Sequence, residues 1–375
     1  MKIAIVHDWL TGMRGGERCL EVFSELFPDA DLFTLLHIKG SVSESIEKMH
    51  IQTSFLQHLP FVKGKYRCYL PLCPSAIECL NVKRYDLLLS ISHCAAKGVI
   101  PGPNALHISY ILTPMRYAWD MYHEYFGNKY AGRLKKPFVG ILAHYLRLWD
   151  ITANNRVDHF ICISDHVAKR IKKYYRRDAE VIHPPVDIKR FSIANKTDDF
   201  YLVVSAFAPY KRLDIAIQAF NQLKKRLLII GKGQEEKRLK SIAHSNIEFL
   251  GWQPDEVVAE YFSRCKAFIF PGEEDFGITP LEAMASGRPV IAYGEGGVLE
   301  TVIPLELSNS DSRYNPSGVF FYEQSVGALI EAVKTFESNQ GYFDSKKLRD
   351  HAKKWNRSMF KEKIRASIEK KLETT

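Results

Sequence analysis

Short apolar runs of three to five residues recur along the chain and alternate with longer stretches of helical periodicity. Apolar runs of this length, bounded by turn residues, predict buried β-strands, and their alternation with helices is typical of parallel α/β sheets. In the first half the predicted strands are Ile3–Val6, Leu32–Leu36, Leu87–Ser90, His107–Ile111 and Phe160–Ile163. In the second half they are Tyr201–Ser205, Leu227–Ile230, Glu248–Leu250, Ala267–Phe270 and Val290–Ala292. Two such series predict an α/β protein with two doubly wound, mainly parallel sheets.

The two series of strands meet at His183-Pro184-Pro185-Val186-Asp187, where adjacent prolines break regular structure. A length of 375 residues is also that of about two domains. We therefore predict a doubly wound domain over residues 1–185 and a second over residues 186–354.

One loop carries the most informative chemistry, the run E-D-F-G-I-T-P-L-E from Glu274 to Glu282. Thr279 suits an N-cap, Pro280 the first helical position, and Glu282 completes a capping box with Thr279. The start of such a helix directs unpaired N–H groups and the positive end of its dipole at an anion. Carboxylates accept hydrogen bonds from sugar hydroxyls, so the loop suits a nucleotide-sugar. Capping alone would also explain Glu282, because the box is a common helix start.

Two other predicted strand ends carry polar or glycine-rich loops. After Ile3–Val6 the chain reads T-G-M-R-G-G-E, and adjacent glycines either turn backbone amides towards an oxyanion or simply make a tight turn. We expect Gly16 to begin the following helix. After Tyr201–Ser205, Lys211 and Arg212 precede a helix, where they either neutralise a diphosphate or form a solvent-facing basic pair.

Several ordered motifs resemble a known family. The run E-D-F-G-I-T-P-L-E-A-M-A-S-G-R-P-V-I-A resembles the E-x7-E signature of family 4 retaining glycosyltransferases, which have the GT-B fold. The initial H-D-W-L-T-G-M-R-G-G-E-R, together with Thr113–Asp120 and Val181–Asp187, is similar to a bacterial mannosyltransferase-like branch. The resemblance runs from Lys2 to about Ile303. It implies two Rossmann-like domains facing across a cleft, over residues 1–185 and 186–354, with a C-terminal helix over residues 355–375 that packs back on the first domain.

The resemblance implies transfer of a hexose from a nucleotide-sugar to a glycan or lipid-linked glycan in cell-surface polysaccharide biosynthesis, with no metal and no cofactor. GDP-mannose is the first expectation for the donor, and a UDP-hexose remains open. The implied catalytic residues are Glu274, Lys211 and Arg212. The implied donor contacts are Gly16, Phe276, Gly277, Ile278, Thr279 and Glu282. Candidate contacts to the acceptor or the sugar are Arg14, Gly15, His93 and Arg116.

Two positions depart from the pattern of the family. Ala206-Phe207 stands where an arginine is usual, and Leu112 stands where related sequences tend to have histidine. Arg212 and His93 are the candidates to replace the missing contacts. The departures keep two alternatives open, a nucleotide-sugar 2-epimerase of similar fold and a catalytically silent sugar-binding protein. Asp29-Ala30-Asp31 resembles a metal-binding D-x-D motif but precedes a strand, so we interpret it as a turn.

Composition bounds the partners and the location. The net charge is +9, but no nucleic-acid-binding motif accompanies it, so nucleic acid is not an expected partner. Pro137–Trp149 is apolar and aromatic with basic residues at 133, 135 and 136 before it, which fits either a membrane interface or a core helix. Seven cysteines without C-x-x-C, a strand that begins at Ile3, and no long apolar run predict a cytoplasmic protein. The cytoplasmic face of the inner membrane is a candidate partner surface.

Overall fold

The computed structural model of the protein describes residues 1–123, 136–310 and 315–374. The chain forms two compact units. Unit 1 comprises Met1–Pro185 together with Ser358–Thr375, and unit 2 comprises Val186–Arg357. The predicted basic positions 133 and 135 lie outside the described residues.

Unit 1 is built on one parallel sheet. Its strands are β1 (Ile3–His7), β2 (Asp31–Thr34), β3 (His50–Thr53), β4 (Leu87–Ser92), β5 (Leu106–Ile111), β6 (His159–Cys162) and β7 (Glu180–Val181). The helices between them are α1 (Gly15–Leu26), α2 (Glu44–Glu47), α3 (Val62–Lys65), α4 (Cys73–Glu78), α5 (Lys136–Ala153) and α6 (Asp165–Tyr175). The strand order is β3-β2-β1-β4-β5-β6-β7. Every strand pair is parallel.

Unit 2 repeats this architecture with six parallel strands. They are β8 (Tyr201–Val204), β9 (Leu227–Ile230), β10 (Ile247–Gly251), β11 (Phe268–Phe270), β12 (Val290–Tyr293) and β13 (Gly318–Phe321). Its helices are α7 (Leu213–Leu223), α8 (Glu236–Ser241), α9 (Asp255–Arg264), α10 (Ile278–Ala285), α11 (Leu305–Ser310), α12 (Val326–Ser338) and α13 (Ser345–Ala352). The order is β10-β9-β8-β11-β12-β13. The final helix is α14 (Arg357–Glu373). Its first residue, Arg357, is the last of unit 2, and the rest of the helix belongs to unit 1.

The predicted fold class, two doubly wound parallel sheets, is confirmed, and all ten predicted strands are present. The three strands that the sequence analysis missed, β3, β7 and β13, all lie at sheet edges. An edge strand has one neighbour, and β3 reads His-Ile-Gln-Thr with no buried residue. The strand β7 has two residues. Neither makes the continuous apolar run by which buried parallel strands are recognised.

Each sheet reverses its strand order once, at a position called its switch point. The reversal falls between β1 and β4 in unit 1, and between β8 and β11 in unit 2. Loops that leave the carboxyl ends of such a pair diverge to opposite faces and leave a crevice, which is where doubly wound sheets bind ligands. The predicted site residues follow these four strands, with the exception of Arg116, which follows β5.

No helix among the described residues is both long and apolar enough to cross a membrane. The run Asp29-Ala30-Asp31 leads into a strand, since Asp31 is the first residue of β2. Its carboxylate accepts from the Tyr85 hydroxyl and pairs with Arg84 and with His50 Nδ1, the last at 2.5 Å.

Candidate functional site

The carboxyl ends of β8 and β11 bring two of the predicted catalytic residues into contact. Lys211 Nζ donates a hydrogen bond to Glu274 Oε1, and the two side chains are 15% and 20% exposed. The ammonium also lies 5.1 Å from the centroid of the Tyr210 ring. A cation and a carboxylate thus occupy the crevice of unit 2 with part of each side chain open to solvent.

Gly272 allows the loops that carry this ion pair to approach. A Cβ at this position would lie 2.9 Å from both Lys211 Cα and the Tyr210 carbonyl oxygen. Real Cβ atoms do not come so close to backbone atoms, so any other residue would push the turn after β8 away from the loop after β11. The position of Lys211 beside Glu274 therefore depends on Gly272, which is distant from Lys211 in sequence.

A pair of glycines, Gly296 and Gly297, supports the Glu274 loop from the side of β12. The Gly297 amide donates to the Glu274 carbonyl at 2.8 Å. A Cβ at Gly297 would lie 2.3 Å from the Asp275 carbonyl oxygen, and one at Gly296 would lie 2.4 Å from the Glu274 carbonyl oxygen. The sequence analysis missed both residues, although the run G-E-G-G, one residue after the predicted strand Val290–Ala292, was the available signal.

Replacing Gly297 by alanine is expected to destabilise unit 2. The added methyl group meets backbone atoms, which cannot rotate away, so we expect a loss of about 1–3 kcal/mol in the free energy of unfolding. Gly327→Ala is the matched control, because a Cβ there meets no heavy atom within 4 Å. That control should be neutral or gain up to about 1 kcal/mol from helix propensity. Urea denaturation checks both variants, and equal stabilities would contradict the role given to Gly297.

Arg212 is held beside the ion pair by contacts that the sequence did not reveal. Its backbone has a left-handed φ of 51°. Its Nη1 donates to Gln324 Oε1 at 3.0 Å, and its Nε donates to Asp214 Oδ1 at 3.3 Å. Gln324 follows β13 and in turn donates through Nε2 to the Pro271 carbonyl at 3.1 Å. Gln324 thereby links the guanidinium to the loop that leads to Glu274.

The helix after this loop begins earlier than predicted. α10 starts at Ile278, and its N-cap is Gly277 with a left-handed φ of 85° and no side-chain cap. The prediction of Thr279 as N-cap, with Glu282 in its capping box, is therefore wrong. Glycine adopts the left-handed conformation without strain, so the first turn begins there and Thr279 falls inside it. Glu282 is half-buried in α10 and lies five residues after the N-cap, so it does not occupy the capping-box position three residues after the cap.

Phe276, another predicted donor contact in this loop, has a side chain that is 3% exposed. Its ring belongs to the interior, and a ligand would meet its backbone. The first turn of α10 leaves N–H groups that have no partner within the helix, and the helix starts at the carboxyl edge of the sheet. These N–H groups, with the basic side chains of Lys211 and Arg212, are hydrogen-bond donors that suit a phosphate group.

In unit 1, the carboxyl ends of β1 and β4 are joined by a buried carboxylate that the sequence analysis did not identify. The Asp8 side chain is fully buried and accepts four backbone N–H bonds. Its Oδ2 accepts from His93 at 2.7 Å and Cys94 at 2.9 Å, and its Oδ1 accepts from Ala95 at 2.6 Å and Ala96 at 2.7 Å. His93 Nδ1 also lies 2.9 Å from Oδ2. Asp8 thus fixes the predicted site residue His93 at the switch point.

The glycine loop after β1 lies beside the same strand ends. α1 begins at Gly15 with Arg14 as N-cap, so the predicted start at Gly16 is wrong by one residue. The Arg14 amide donates to Glu17 Oε2 at 3.1 Å. A Cβ at Gly16 would lie 2.8 Å from Leu112 Cδ1 and 3.5 Å from His7 Cε1, so the helix start packs directly against Leu112.

Four titratable side chains lie close together at these strand ends: His7, Asp8, Glu17 and His93. His7 Nε2 lies 3.7 Å from Glu17 Oε1, and the His7 ring centroid lies 6.2 Å from that of His93. Burial alone would raise the pKa of Asp8, but His93 and His7 hold that pKa well below its usual range. Burial would also raise the pKa of Glu17, which His7 lowers overall. Burial would lower the pKa of His93, but Asp8 and Glu17 raise it overall. The network favours ionised carboxylates beside a protonated His93, a hydrogen-bond donor for hydroxyl groups or anions.

Arg116 follows β5, in a turn whose backbone bonds include Met121 N to the Arg116 carbonyl. Its Nη1 lies 4.0 Å from Met121 Sδ. Among the described residues, no group of three or more His, Cys, Asp and Glu side chains is arranged to hold a metal ion.

Comparison with known proteins identifies relatives of this chain. Residues 186–358 match the family described as Glycosyl transferases group 1. The chain is 30% identical over 203 residues to an uncharacterised glycosyltransferase of Methanocaldococcus jannaschii. This match covers 52% of this chain and 56% of that protein. The chain is 35% identical over 153 residues to O-antigen chain mannosyltransferase C of Escherichia coli, which covers 38% of each protein. The chain thus spans about half or less of the length of these relatives.

Two solved structures share the fold over nearly the whole chain. Anabaena HepE in complex with UDP and glucose superposes with a TM-score of 0.70 at 15% identity, covering 98% of this chain and 99% of that one. Sucrose-phosphate synthase of Thermosynechococcus elongatus superposes with a TM-score of 0.72 at 15% identity, covering all of both chains.

Proposed function

We propose that this chain, whose residues 186–358 match the family of glycosyl transferases group 1, transfers a hexose from a nucleoside diphosphate sugar to a glycan. The observation that supports this proposal most directly is the contact between Lys211 and Glu274 at the switch point of unit 2. The N-terminus of α10 follows the same loop, so basic groups, a carboxylate and backbone amides occupy one edge of the sheet. These are the groups that a diphosphate and a sugar require.

In the proposed reaction the bond between C1 of the hexose and the diphosphate oxygen breaks, and its electron pair leaves with the diphosphate. Lys211, Arg212 and the first amides of α10 stabilise the charge that develops there. The acceptor oxygen bonds to C1 on the same face, so configuration is retained. The acceptor proton passes to an oxygen of the leaving phosphate. Glu274 holds hydroxyl groups of the donor sugar, and Glu282 holds those of the nucleotide ribose.

For unit 1 we assign Arg14, Gly15, Gly16 and His93 to contacts with the acceptor or the donor sugar. His93 would donate a hydrogen bond, because its pKa is raised. It follows β4, whose neighbouring strand β5 leads to Leu112. Arg116 is kept as a further candidate for the acceptor. A lipid-linked glycan at the cytoplasmic face of the membrane is the proposed acceptor.

GDP-mannose is the proposed donor. The support is the set of relatives named as mannosyltransferases, among them the Escherichia coli protein above and the alpha-1,3/1,6-mannosyltransferase of Saccharomyces cerevisiae, 30% identical over 193 residues. That yeast match covers 37% of this chain and 38% of the relative. UDP-hexoses are the competing donors, because the HepE structure contains UDP and glucose.

A donor screen tests the proposal. We expect GDP-mannose to raise the unfolding temperature of the chain more than UDP-glucose, UDP-galactose or free mannose, since a ligand that binds only the folded state stabilises it. Release of GDP should then depend on added glycolipid acceptor. Conversion of the sugar without acceptor would instead identify an epimerase. Binding without any release of nucleotide would identify a sugar-binding protein, and no shift with any nucleotide-sugar would refute the proposal.

A further inference from the structure

The helix α5 presents a continuous apolar stripe to solvent. Five large apolar side chains along it are exposed at helical spacing: Phe138 by 72%, Ile141 by 69%, Tyr145 by 42%, Leu148 by 55% and Ile151 by 44%. Their positions advance by three, four, three and three residues, which keeps them on one face of a helix. Eighteen residues make the helix about 27 Å long.

The opposite face of α5 anchors the helix to unit 1. Ala143 and Leu146 are buried in this face, and Asp150 is fully buried in an ion pair with Lys97 at 2.7 Å. Trp149 Nε1 donates to Glu78 Oε1 at 2.8 Å. The sequence left an interface helix and a core helix open for this segment. The structure shows a helix with one packed face and one exposed apolar face.

The net charge of the protein is confined to the unit that carries this stripe. Unit 1 contains 29 Lys and Arg against 20 Asp and Glu, a net charge of +9. Unit 2 contains 23 of each, a net charge of zero. Exposed basic residues of unit 1 include Lys169, Lys172 and Lys173 on α6. An anionic surface would therefore attract unit 1 selectively.

Another exposed apolar side chain, outside α5, lies on the segment that leads into α4. Phe61 is 80% exposed at a left-handed φ of 55°, and Lys63, Lys65 and Arg67 follow it within six residues. This segment continues to Glu78, which α5 contacts through Trp149. The two apolar features thus belong to elements that are joined within unit 1, and basic residues follow Phe61 in the chain.

We infer that α5 docks unit 1 on an anionic lipid surface, with the stripe from Phe138 to Ile151 entering the boundary between headgroups and acyl chains. An exposed apolar face on a helix that lies in the plane of the interface gains free energy from burial, and nearby basic residues gain from anionic headgroups. A second copy of the chain is the less favourable occupant, because two units of charge +9 repel each other. The inference concerns binding to lipid and does not depend on the donor sugar or on catalysis.

Vesicle flotation of the full chain tests this inference without any nucleotide-sugar. We expect the chain to float with vesicles of phosphatidylcholine and phosphatidylglycerol, to float poorly with phosphatidylcholine alone, and to lose binding as salt is raised. The double variant Ile141→Glu/Leu148→Glu should bind anionic vesicles at least about tenfold more weakly, because it removes two apolar contacts and adds repulsion. Both residues are exposed, so the unfolding temperature should not change.

The matched control is Trp252→Glu/Tyr342→Glu, which adds the same charge at residues of unit 2 that are 67% and 59% exposed. This control should bind vesicles like the wild-type chain. Failure of the wild-type chain to float with anionic vesicles would overturn the inference, and so would equal loss in both double variants. A wild-type dimer that the stripe variant converts to a monomer, without flotation, would assign the stripe to a second copy and also overturn it.

Discussion

Replacing Lys211 by alanine is expected to lower kcat/KM by about 10²–10³-fold with the preferred nucleotide-sugar. In the proposed reaction the lysine stabilises the charge that develops on the leaving diphosphate, and loss of one such contact typically costs this much. The charge is partly desolvated beside Glu274, so water would replace it poorly. Release of nucleoside diphosphate measures turnover, and calorimetric titration of the nucleoside diphosphate alone measures the loss of phosphate binding.

Lys225→Ala is the control for a general effect of breaking an ion pair. Lys225 belongs to the same unit, is 33% exposed, and pairs with Glu337 at 2.7 Å. It should retain wild-type turnover while both variants unfold at similar temperatures. Turnover of Lys211→Ala within about threefold of wild type would remove the lysine from the reaction, and with it the main support for the proposed site.

The resemblance to family 4 glycosyltransferases, drawn from motifs between Lys2 and Ile303, is confirmed over residues 186–358, which match the family of glycosyl transferases group 1. The fold was also accessible from the sequence, because buried parallel strands make local apolar runs that need no knowledge of their neighbours. Once the strands were placed, the loops after β1, β4, β8 and β11 were the natural positions for functional side chains.

The contacts within the site could not be predicted in this way. The approach of Lys211 to Glu274 depends on the missing side chain of Gly272, and a glycine in a sequence does not tell which backbone will approach it. Gln324 supports Arg212 from a loop 112 residues later. Such contacts are properties of the assembled sheet.

The predicted start of α10 was wrong because the capping-box pattern did not take account of a nearby glycine. Thr279-x-x-Glu282 has the pattern of a capping box, but Gly277 accepts the left-handed conformation and starts α10 two residues earlier than the proposed cap. Glu282 lies five residues after the N-cap Gly277 instead of three, so the pattern of a capping box does not account for its position.

The largest effect on stability is expected for Asp8→Asn in unit 1. The carboxylate accepts two backbone N–H groups on each oxygen, whereas an amide side chain offers one acceptor and one donor. Two buried N–H groups would then face another donor, and His93 would lose its counter-ion. We expect a loss of about 3–5 kcal/mol in the free energy of unfolding, measured by urea denaturation at pH 6. Asp86→Asn, whose exposed carboxylate accepts one amide, Lys2 N at 2.6 Å, is the control and should lose much less.

The dependence of this loss on pH separates a charged network from simple packing. The pKa of Asp8 is lowered in the folded state, so its contribution is complete above the unfolded pKa of about 3.9 and is lost as the pH falls through the folded pKa. The pKa of His93 is raised, so its contribution is complete below about 6.5 and is lost as the pH rises through the folded pKa. The stability difference between wild type and Asp8→Asn should therefore be largest between about pH 4 and pH 6.5 and shrink on both sides. A difference that stays constant from pH 3 to pH 9 would mean that shape alone holds His93 at the end of β4.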